Sequence, residues 1–431
     1  MGRFTGLLGM AFILGMAYLF SHNRKAINWR TVGWGLGLQI LLGLFVLKTS
    51  WGSGLFSWLG RLVNKLLEFN KAGSNFVFGN IVPIGAPQEP FGFIFAFQVL
   101  PAIIFVGSLI SIAYYLGIMQ WIVSVVSKLV VKTMQTSGAE SFYAIATIFV
   151  GQSEAPLMIK PYVEKMTKSE LNTIMTGGMA TIAGSVLFSY VAMLGEEWAP
   201  HIITASIMGA PAGLLLSKML YPEEETPETS SAVTLKKETT HGSIIEAISS
   251  GAIDGMHLAF IVGTSLIAFI AIIAMLNGFL GWCGGYMDMI AGHFGMTFIP
   301  GENFSIQTIL GWILCPIAFL VGAPWQDAQI VGSLIGEKIV LNEFVAYSDL
   351  LNHMTVNNIP ATAQELTQKG KLIATFALCG FANFSSIGIN VGCIGGLAPS
   401  RKSDLAKLGM RAMCGGAMAS LMTASLVGML M

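Results

Sequence analysis

The chain has 431 residues, of which 54% are apolar and only 11% are charged, and its mean hydropathy is +0.70. Positive and negative side chains number 23 each, so the zero net charge gives no indication of nucleic acid as a partner. Soluble domains carry about 25% charged residues, so a soluble globular protein is a poor match. The composition predicts many packed helices in a lipid bilayer, with 50 glycines that let their backbones approach closely.

Long apolar runs are the first organising feature of the chain, because an α-helix needs about 20 such residues to cross a bilayer. The runs cover approximately residues 4–20, 31–47, 94–118, 171–194, 200–217, 255–281, 371–397 and 408–431. They predict an all-α polytopic membrane protein with about eight transmembrane helices.

Two further apolar stretches, about 142–168 and about 325–350, are interrupted by Gly, Pro, amide and carboxylate side chains. We expect both to form re-entrant hairpins, since irregular backbone at membrane depth is stable only against protein or a water-filled cavity. If the first helix runs from outside to inside, 15 of the 23 Lys and Arg residues fall in inner loops, as the positive-inside rule requires. Both termini are then periplasmic, and the hairpins enter from opposite sides, as in an inverted repeat.

Residues 222–245 form the most polar stretch, with three consecutive glutamates and several Pro, Ser and Thr residues. We predict a cytoplasmic linker that has no further role. It divides the chain into N-terminal helices (1–93), a first half with one hairpin and a broken helix (94–221), and a second half with the other hairpin and broken helix (246–431).

The segment Gly151–Leu157, with the sequence GQSEAPL, places the carboxylate of Glu154 between apolar flanks. A charge at membrane depth costs several kcal/mol, so it persists mainly where it faces protein, water or a ligand. Pro156 removes a backbone hydrogen-bond donor and Gly151 loosens the chain, so we expect a break in the helix here. A broken helix that carries a carboxylate is how transporters build binding sites near the bilayer midplane.

The second half offers its own polar groups within apolar surroundings. Asn342 and Glu343 lie in the second predicted hairpin, and Asn383, Ser385 and Ser386 follow in a predicted span, beside two phenylalanines. Carboxylate, amide, hydroxyl and aromatic groups together suit a molecule with several hydroxyls and a flat ring, such as a nucleoside. The side chains alone equally allow a sugar or an aromatic amino acid.

Two other classes of function fit the sequence less well. An intramembrane enzyme would need a nucleophile and a base or paired aspartates, whereas the intramembrane carboxylates are glutamates in separate hairpins. A passive channel would use rings of side chains or carbonyls. Asp254 and His257 begin another predicted span, and we expect both to lie at the membrane interface rather than in a site.

Four segments carry a family resemblance: GQSEAPL, GGMATIAGSV, LNEFVAY and FALCGFANFSSIG. In this order they resemble the concentrative nucleoside transporter family, and the resemblance covers nearly the whole chain. It implies a homotrimer in the bacterial inner membrane that imports nucleosides of the uridine, cytidine and adenosine class. It also implies a scaffold domain, which includes residues 1–93, and a transport domain of two hairpins and two broken helices that moves like an elevator.

The resemblance also assigns the substrate contacts. In the family, one group of positions holds the nucleobase, and here it corresponds to Gln152, Ser153, Glu154 and Val186. A second group lies at the ribose side, and here it corresponds to Glu343, Asn383, Ser386 and the nearby Phe381. Of these, the carboxylate of Glu343 is expected to accept two hydrogen bonds from the ribose diol.

The coupling ion is sodium or a proton by the same resemblance, and no other cofactor is implied. The sodium ligands of the family correspond to Thr147, the Val150 carbonyl, Thr181 and the Ile182 carbonyl. Sodium-coupled members carry Asn at position 147 and usually Ser at position 181, so this chain departs from their pattern. Both ions stay open, with sodium favoured because the flanking segments are intact. If protons drive the cycle, Glu154 is the expected carrier.

Overall fold

The computed structural model describes residues 2–81, 94–229, 242–293, 304–355 and 363–431, and the regular structure of these residues is helical. The first ten α-helices are α1 (Gly2–Leu19), α2 (Trp29–Lys48), α3 (Ser50–Phe78), α4 (Phe95–Gln98), α5 (Leu100–Tyr115), α6 (Ile118–Met134), α7 (Gly138–Ala146), α8 (Ala155–Met158), α9 (Lys160–Val163) and α10 (Lys168–Ala180). The others are α11 (Gly184–Leu194), α12 (Ala199–Leu220), α13 (Ile244–His293), α14 (Ile306–Val321), α15 (Ala328–Val340), α16 (Glu343–Asn352), α17 (Gln368–Leu378), α18 (Phe384–Leu397) and α19 (Lys402–Leu430).

Six helical segments of the described chain are long and apolar enough to cross a membrane. They are Trp29–Lys48, Phe95–Tyr115, Lys168–Leu194, Glu196–Leu220, Ile244–Ile290 and Pro399–Leu430. Three shorter apolar helices accompany them: Phe4–Leu19, Ile306–Val321 and Phe384–Leu397. The all-α architecture predicted from the composition is confirmed. Helices α3 and α6 lie outside the predicted spans, because each combines apolar residues with charged ones.

Two of the predicted spans are each divided into two helices. Residues 181–183 separate α10 from α11, and residues 379–383 separate α17 from α18. Gly380 has φ +129°, which residues with a side chain rarely adopt, and an added Cβ would lie 2.8 Å from the carbonyl oxygen of Met179. The two interruptions therefore lie against each other.

The segments predicted as hairpins, 142–168 and 325–350, are interrupted helices as well. In the first, turns separate α7 from α8, and Pro156 lies in the first turn of α8, where its missing N–H costs no helical hydrogen bond. In the second, the side chain of Asn342 caps α16 by accepting a 2.9 Å hydrogen bond from the backbone N–H of Val345. That each segment enters and leaves the bilayer on one side stays a prediction.

The predicted linker 222–245 does more than join two halves. Of its polar part, residues 222–229 are described, whereas 230–241 lie outside the described residues. The carbonyl oxygen of Thr229 accepts a 2.7 Å hydrogen bond from the backbone N–H of Gly138, at the start of α7. The linker thus supplies an acceptor to a helix end that would otherwise leave its first N–H groups unpaired.

A buried lysine fixes the same region. Lys218, near the end of α12, is 7% exposed, and its ammonium lies 2.8 Å from a carboxylate oxygen of Glu140 and 3.2 Å from one of Glu223. The hydroxyl of Ser169 accepts a third contact at 2.9 Å. A buried charge is stable only when it is paired and hydrogen-bonded, as it is here. Glu223 therefore anchors the linker to the first half of the chain.

The interrupted helices lie in the interior of the molecule. Helices α10 and α17 have almost all of their residues buried, and both pack against α12 and α19. Helix α13 packs along α5, and α14 packs along α15. Because unpaired backbone groups inside apolar surroundings are costly, each interruption needs polar partners from the protein or from a ligand.

Candidate functional site

A cavity of about 360 Å³ lies where the interrupted helices face the side of α13. Four helices, α8, α11, α16 and α18, begin at its wall, with N-terminal N–H groups that no helical carbonyl satisfies. All eight residues that the resemblance assigns to the substrate line this cavity: Gln152, Ser153, Glu154, Val186, Glu343, Phe381, Asn383 and Ser386. Their shared location is observed, and their contact with a nucleoside stays a prediction.

Glu343 is a buried carboxylate that two neighbours hold at the cavity wall. Its exposed fraction is 4%. Oε1 accepts a hydrogen bond from the hydroxyl of Tyr190 at 3.2 Å, and Oε2 accepts one from the amide of Asn383 at 3.0 Å. Each carboxylate oxygen can accept further hydrogen bonds. Glu343 can therefore bind two neighbouring hydroxyl groups while both of its protein contacts remain in place.

Asn383 is fixed at the start of α18 by its own capping interactions. Its Oδ1 accepts hydrogen bonds from the backbone N–H of Ser386 at 2.9 Å and from the hydroxyl of Ser385 at 2.7 Å. The other end of the same amide donates to Glu343. The cap of α18 thus sets the position of a carboxylate in another helix.

The same polar network continues through Ser386 to Gln152. Its Nε2 donates to the hydroxyl of Ser386 at 3.0 Å, and its Oε1 accepts from the amide of Asn390 at 2.7 Å. Asn390 also donates to the Ser386 carbonyl at 2.9 Å. The amide of Gln152 therefore has a defined orientation, and it retains one N–H and one lone pair for a ligand.

The remaining predicted residues differ in exposure. Ser153 and Glu154 are exposed and line the cavity, whereas Val186 and Phe381 are buried, with exposed fractions of 2% and 9%. The lining of the cavity therefore combines polar and apolar side chains, which suits a flat ring with polar edges. Glu154 also ends the turns before α8 as its N-cap residue, although its side chain makes no capping hydrogen bond there.

The ring of Tyr190 packs against two other aromatic rings. Its ring centroid lies 4.9 Å from that of Phe344 and 4.3 Å from that of Tyr347. The hydroxyl of Tyr347 donates to the carbonyl of Thr375 at 2.8 Å, so it does not compete for Glu343. Tyr190 is fully buried, and its ring is held in a fixed orientation with the hydroxyl on Glu343.

Two of the predicted sodium ligands, Thr147 and Thr181, come together at the interruption between α10 and α11. The Thr181 hydroxyl donates to the carbonyls of Thr147 at 3.3 Å and Gly177 at 3.1 Å, and the Thr147 hydroxyl donates to that of Ala144 at 2.9 Å. A hydroxyl whose proton points at a carbonyl presents its lone pairs to the other side. That these oxygens hold a sodium ion stays a prediction. Val150 follows Thr147 by three residues, and its exposed fraction is 3%.

Three family models match the chain in order. The one described as "Na+ dependent nucleoside transporter N-terminus" matches residues 8–81, and "Nucleoside recognition" matches residues 96–197. The one described as "Na+ dependent nucleoside transporter C-terminus" matches residues 201–428, more than half of the chain. The chain belongs to the concentrative nucleoside transporter family. Its function is therefore transport of nucleosides across a membrane, and it is not an enzyme.

Relatives of this transporter occur in bacteria and mammals. The uncharacterized transporter YutK of Bacillus subtilis is 43% identical over 98% of both chains. A transporter of Haemophilus influenzae is 42% identical over 100% of this chain and 98% of its own. The sodium/nucleoside cotransporter 1 of the mouse is 40% identical over 99% of this chain and 64% of its own.

Solved structures of CNTnw have the same fold as the transporter. Its inward-facing, substrate-bound state matches with a TM-score of 0.88 and 41% identity, over 100% of this chain and 98% of that one. A CNTnw variant in an outward-facing state matches with a TM-score of 0.91, also at 41% identity and with the same coverage.

Some residues of the transporter site were not identified from the sequence. Tyr190 lies four residues after Val186, and Asn390 lies four residues after Ser386. One helical turn places each on the same face as its predicted neighbour, and this spacing is the signal that could have found them.

Two polar residues of α13 line the cavity, which was not predicted from the sequence. Asp254 and His257 were expected at the membrane interface without a role in the site, but both line the cavity opposite the hairpin segments. The apolar run that contains them is part of one helix of 50 residues. The start of the apolar run suggested that both residues lie at a helix end. Instead they lie 10 or more residues inside α13.

Proposed function

We propose that this transporter imports nucleosides into the bacterial cytoplasm by symport with a cation, and that the cavity around Glu343 is its substrate site. The observation that carries the proposal is the carboxylate of Glu343, held between Tyr190 and Asn383 with lone pairs left for a diol. Ribose is the part of a nucleoside that presents two neighbouring hydroxyls. The substrates are of the uridine, cytidine and adenosine class, which all share that ribose.

Base recognition is assigned to a second group of cavity residues. Gln152 offers one free N–H and one lone pair, so it can both donate to and accept from a base edge. Ser153 and Glu154 fix the base beside it, and Val186 supplies apolar contact. Phe381 packs near the ligand on the ribose side.

The first candidate for the coupling ion is sodium, held by Thr147, the Val150 carbonyl, Thr181 and the Ile182 carbonyl. The family description and the names of the mammalian relatives support this choice. The Ser206 hydroxyl donates to the Ile182 carbonyl at 3.3 Å, which places a further oxygen beside these ligands. A proton is the second candidate, since position 147 carries a hydroxyl where sodium-coupled members have an amide.

For the transport step we propose an elevator movement. The two interrupted hairpins and two broken helices move as the transport domain, and the N-terminal helices of residues 1–93 belong to the scaffold. The inward-facing, outward-facing and intermediate states solved for CNTnw support a cycle of this kind. We further propose a homotrimer in the inner membrane with both termini in the periplasm, on the basis of the family resemblance and the distribution of basic residues.

Uptake of radiolabelled uridine and adenosine into proteoliposomes tests the proposal, with sodium and pH gradients imposed separately. Symport predicts accumulation above the outside concentration, driven by one of the gradients and abolished by an ionophore that collapses it. A passive channel would equilibrate nucleosides without accumulating them. Uptake of free sugars or aromatic amino acids in preference to nucleosides would contradict the substrate assignment.

A further inference from the structure

Glu337 is a buried carboxyl group outside the ligand cavity. It lies near the end of α15 with an exposed fraction of 0%, and neither of its oxygens has a hydrogen-bond partner among the described residues. Ser333, one turn earlier on the same helix face, is 8% exposed, and its hydroxyl is also unpartnered in that part of the chain. An ionised carboxylate without a cation or a donor is far more costly in such surroundings than the neutral acid. The burial of Glu337 without a partner therefore favours its neutral, protonated form.

The neighbouring helix supplies an amide beside Glu337. Gln307 of α14 lies near the carboxyl group, although the two do not form a hydrogen bond of acceptable geometry. The Oε1 of Gln307 accepts a 2.9 Å hydrogen bond from the amide of Asn277, which leaves the N–H groups of Gln307 for other acceptors. The surroundings thus offer a polar group that can serve either form of Glu337, and α14 itself has no charged side chain.

No described cation neutralises Glu337. Asp349 of α16 has the same sign as an ionised Glu337, and it accepts a 3.2 Å hydrogen bond from Asn352. The other charged side chains nearby have interactions of their own. Lys338 bonds Ala377 and Ser420, and Glu343 bonds Tyr190 and Asn383. Asp327 bonds Thr367, Lys371 pairs with Glu365, and Lys369 also has a partner.

We propose that Glu337 is a proton-binding site of the transport cycle, an inference that rests on the proposed function. A proton from water on the outer side binds the carboxylate and gives the neutral acid. The acid crosses with the nucleoside and releases the proton to water on the inner side. One proton and one positive charge move inward per turnover, and the carboxylate is regenerated.

The position of Glu337 in the chain connects proton binding to substrate binding. Helix α15 leads through Leu341 and Asn342 directly into α16, which begins with Glu343. The two carboxyl groups therefore belong to one hairpin segment and move together in the proposed cycle. A hairpin that carries a neutral Glu337 takes no unpaired charge inward with the nucleoside, and on the return the N–H groups of Gln307 are available to the carboxylate. The site is also separate from the sodium ligands around Thr147, so the two ions can be varied independently.

The experiment compares the wild type with Glu337→Gln in proteoliposomes, using uridine. Glutamine has the size of the neutral acid but binds no proton. An inward pH gradient of about two units can raise the accumulation ratio up to roughly a hundredfold for one proton per nucleoside. We expect this stimulation in the wild type, together with alkalinisation of the bath in proportion to uridine uptake. Glu337→Gln should lose both effects and retain uridine binding and uridine exchange.

Glu224→Gln is the matched control, since it makes the same change at an exposed position of the linker. It should keep the pH response of the wild type. A wild type whose uptake and bath pH are insensitive to the gradient would overturn the inference, and so would a Glu337→Gln protein that still takes up protons. Uridine exchange without any gradient would still be present in both cases, so the proposed function would stand.

A Glu337→Gln protein that fails to bind uridine would call for Glu337→Asp, which keeps a titratable group with a shorter side chain. In that case we expect uridine binding to be retained and the pH at which uptake is half-maximal to shift. An unchanged half-maximal pH in Glu337→Asp would contradict proton binding at this position.

Discussion

The amide of Asn383 donates a 3.0 Å hydrogen bond to Oε2 of Glu343, although forty residues separate the two in the chain. Asn383 is at the same time the N-cap of α18, and Glu343 is the first residue of α16. The contact thus joins an interrupted helix to the segment predicted as the second hairpin, at the cavity. A ligand that bridges Glu343 and the start of α18 would stabilise both helix starts together.

Glu343→Gln should lower the affinity for uridine by about tenfold to a hundredfold, because a hydrogen bond to a charged group contributes about 1.5–3 kcal/mol. Equilibrium binding to the purified protein measures the loss. A 2′,3′-dideoxynucleoside should bind the wild type weakly and lose little more in the variant. Equal losses for the ribose and dideoxyribose ligands would remove Glu343 from the role of diol acceptor.

Tyr190→Phe should weaken uridine binding by a smaller factor, up to about tenfold, since it removes one hydrogen bond to Glu343 and leaves the ring packing unchanged. Tyr347→Phe is the matched control, because its hydroxyl bonds the Thr375 carbonyl and not Glu343. We expect it to affect thermal stability more than affinity. In the double variant with Glu343→Gln, the effect of Tyr190→Phe should largely disappear, and full additivity of the two losses would contradict the pairing.

Gln152→Ala should change the preference among bases more than it changes ribose recognition, because this amide can both donate and accept at a base edge. Competition of purine and pyrimidine nucleosides against labelled uridine measures the preference. Asn390→Ala should shift it in the same direction, since Asn390 orients Gln152 through its 2.7 Å hydrogen bond. A uniform drop for every nucleoside would indicate that Gln152 only shapes its segment.

Thr147→Asn should tighten sodium-dependent uptake if sodium is the coupling ion, because the amide places a longer carbonyl-bearing side chain at the ligand set. Ion and nucleoside affinities must then change reciprocally, so uridine affinity at low sodium should rise as well. The half-saturating sodium concentration in both proteins measures the effect. A wild type that already saturates in the low millimolar range would show that Thr147 completes the site without the change.

The sequence by itself determined the class of the protein, because composition and run length depend only on residue type. An excess of apolar residues over about 20 positions requires helices in lipid, and a polar tetrad such as that at Gly151–Glu154 marks the place where a helix breaks. The family resemblance that the motifs carry also implied the eight residues that line the cavity. Their role in binding stays a prediction.

Only the tertiary structure decided which of these residues meet and which others join them. Tyr190 and Asn390 join the site because helix packing brings them within hydrogen-bond distance of Glu343 and Gln152, and their spacing from Val186 and Ser386 gives only the helix face, not the partner. Asp254 and His257 line the cavity for the same reason, although their run suggested a helix end. Glu337 looks in sequence like an ordinary helix residue before a lysine. Its burial without a partner arises from the packing of α14 on α15, and contacts between distant segments depend on the whole fold.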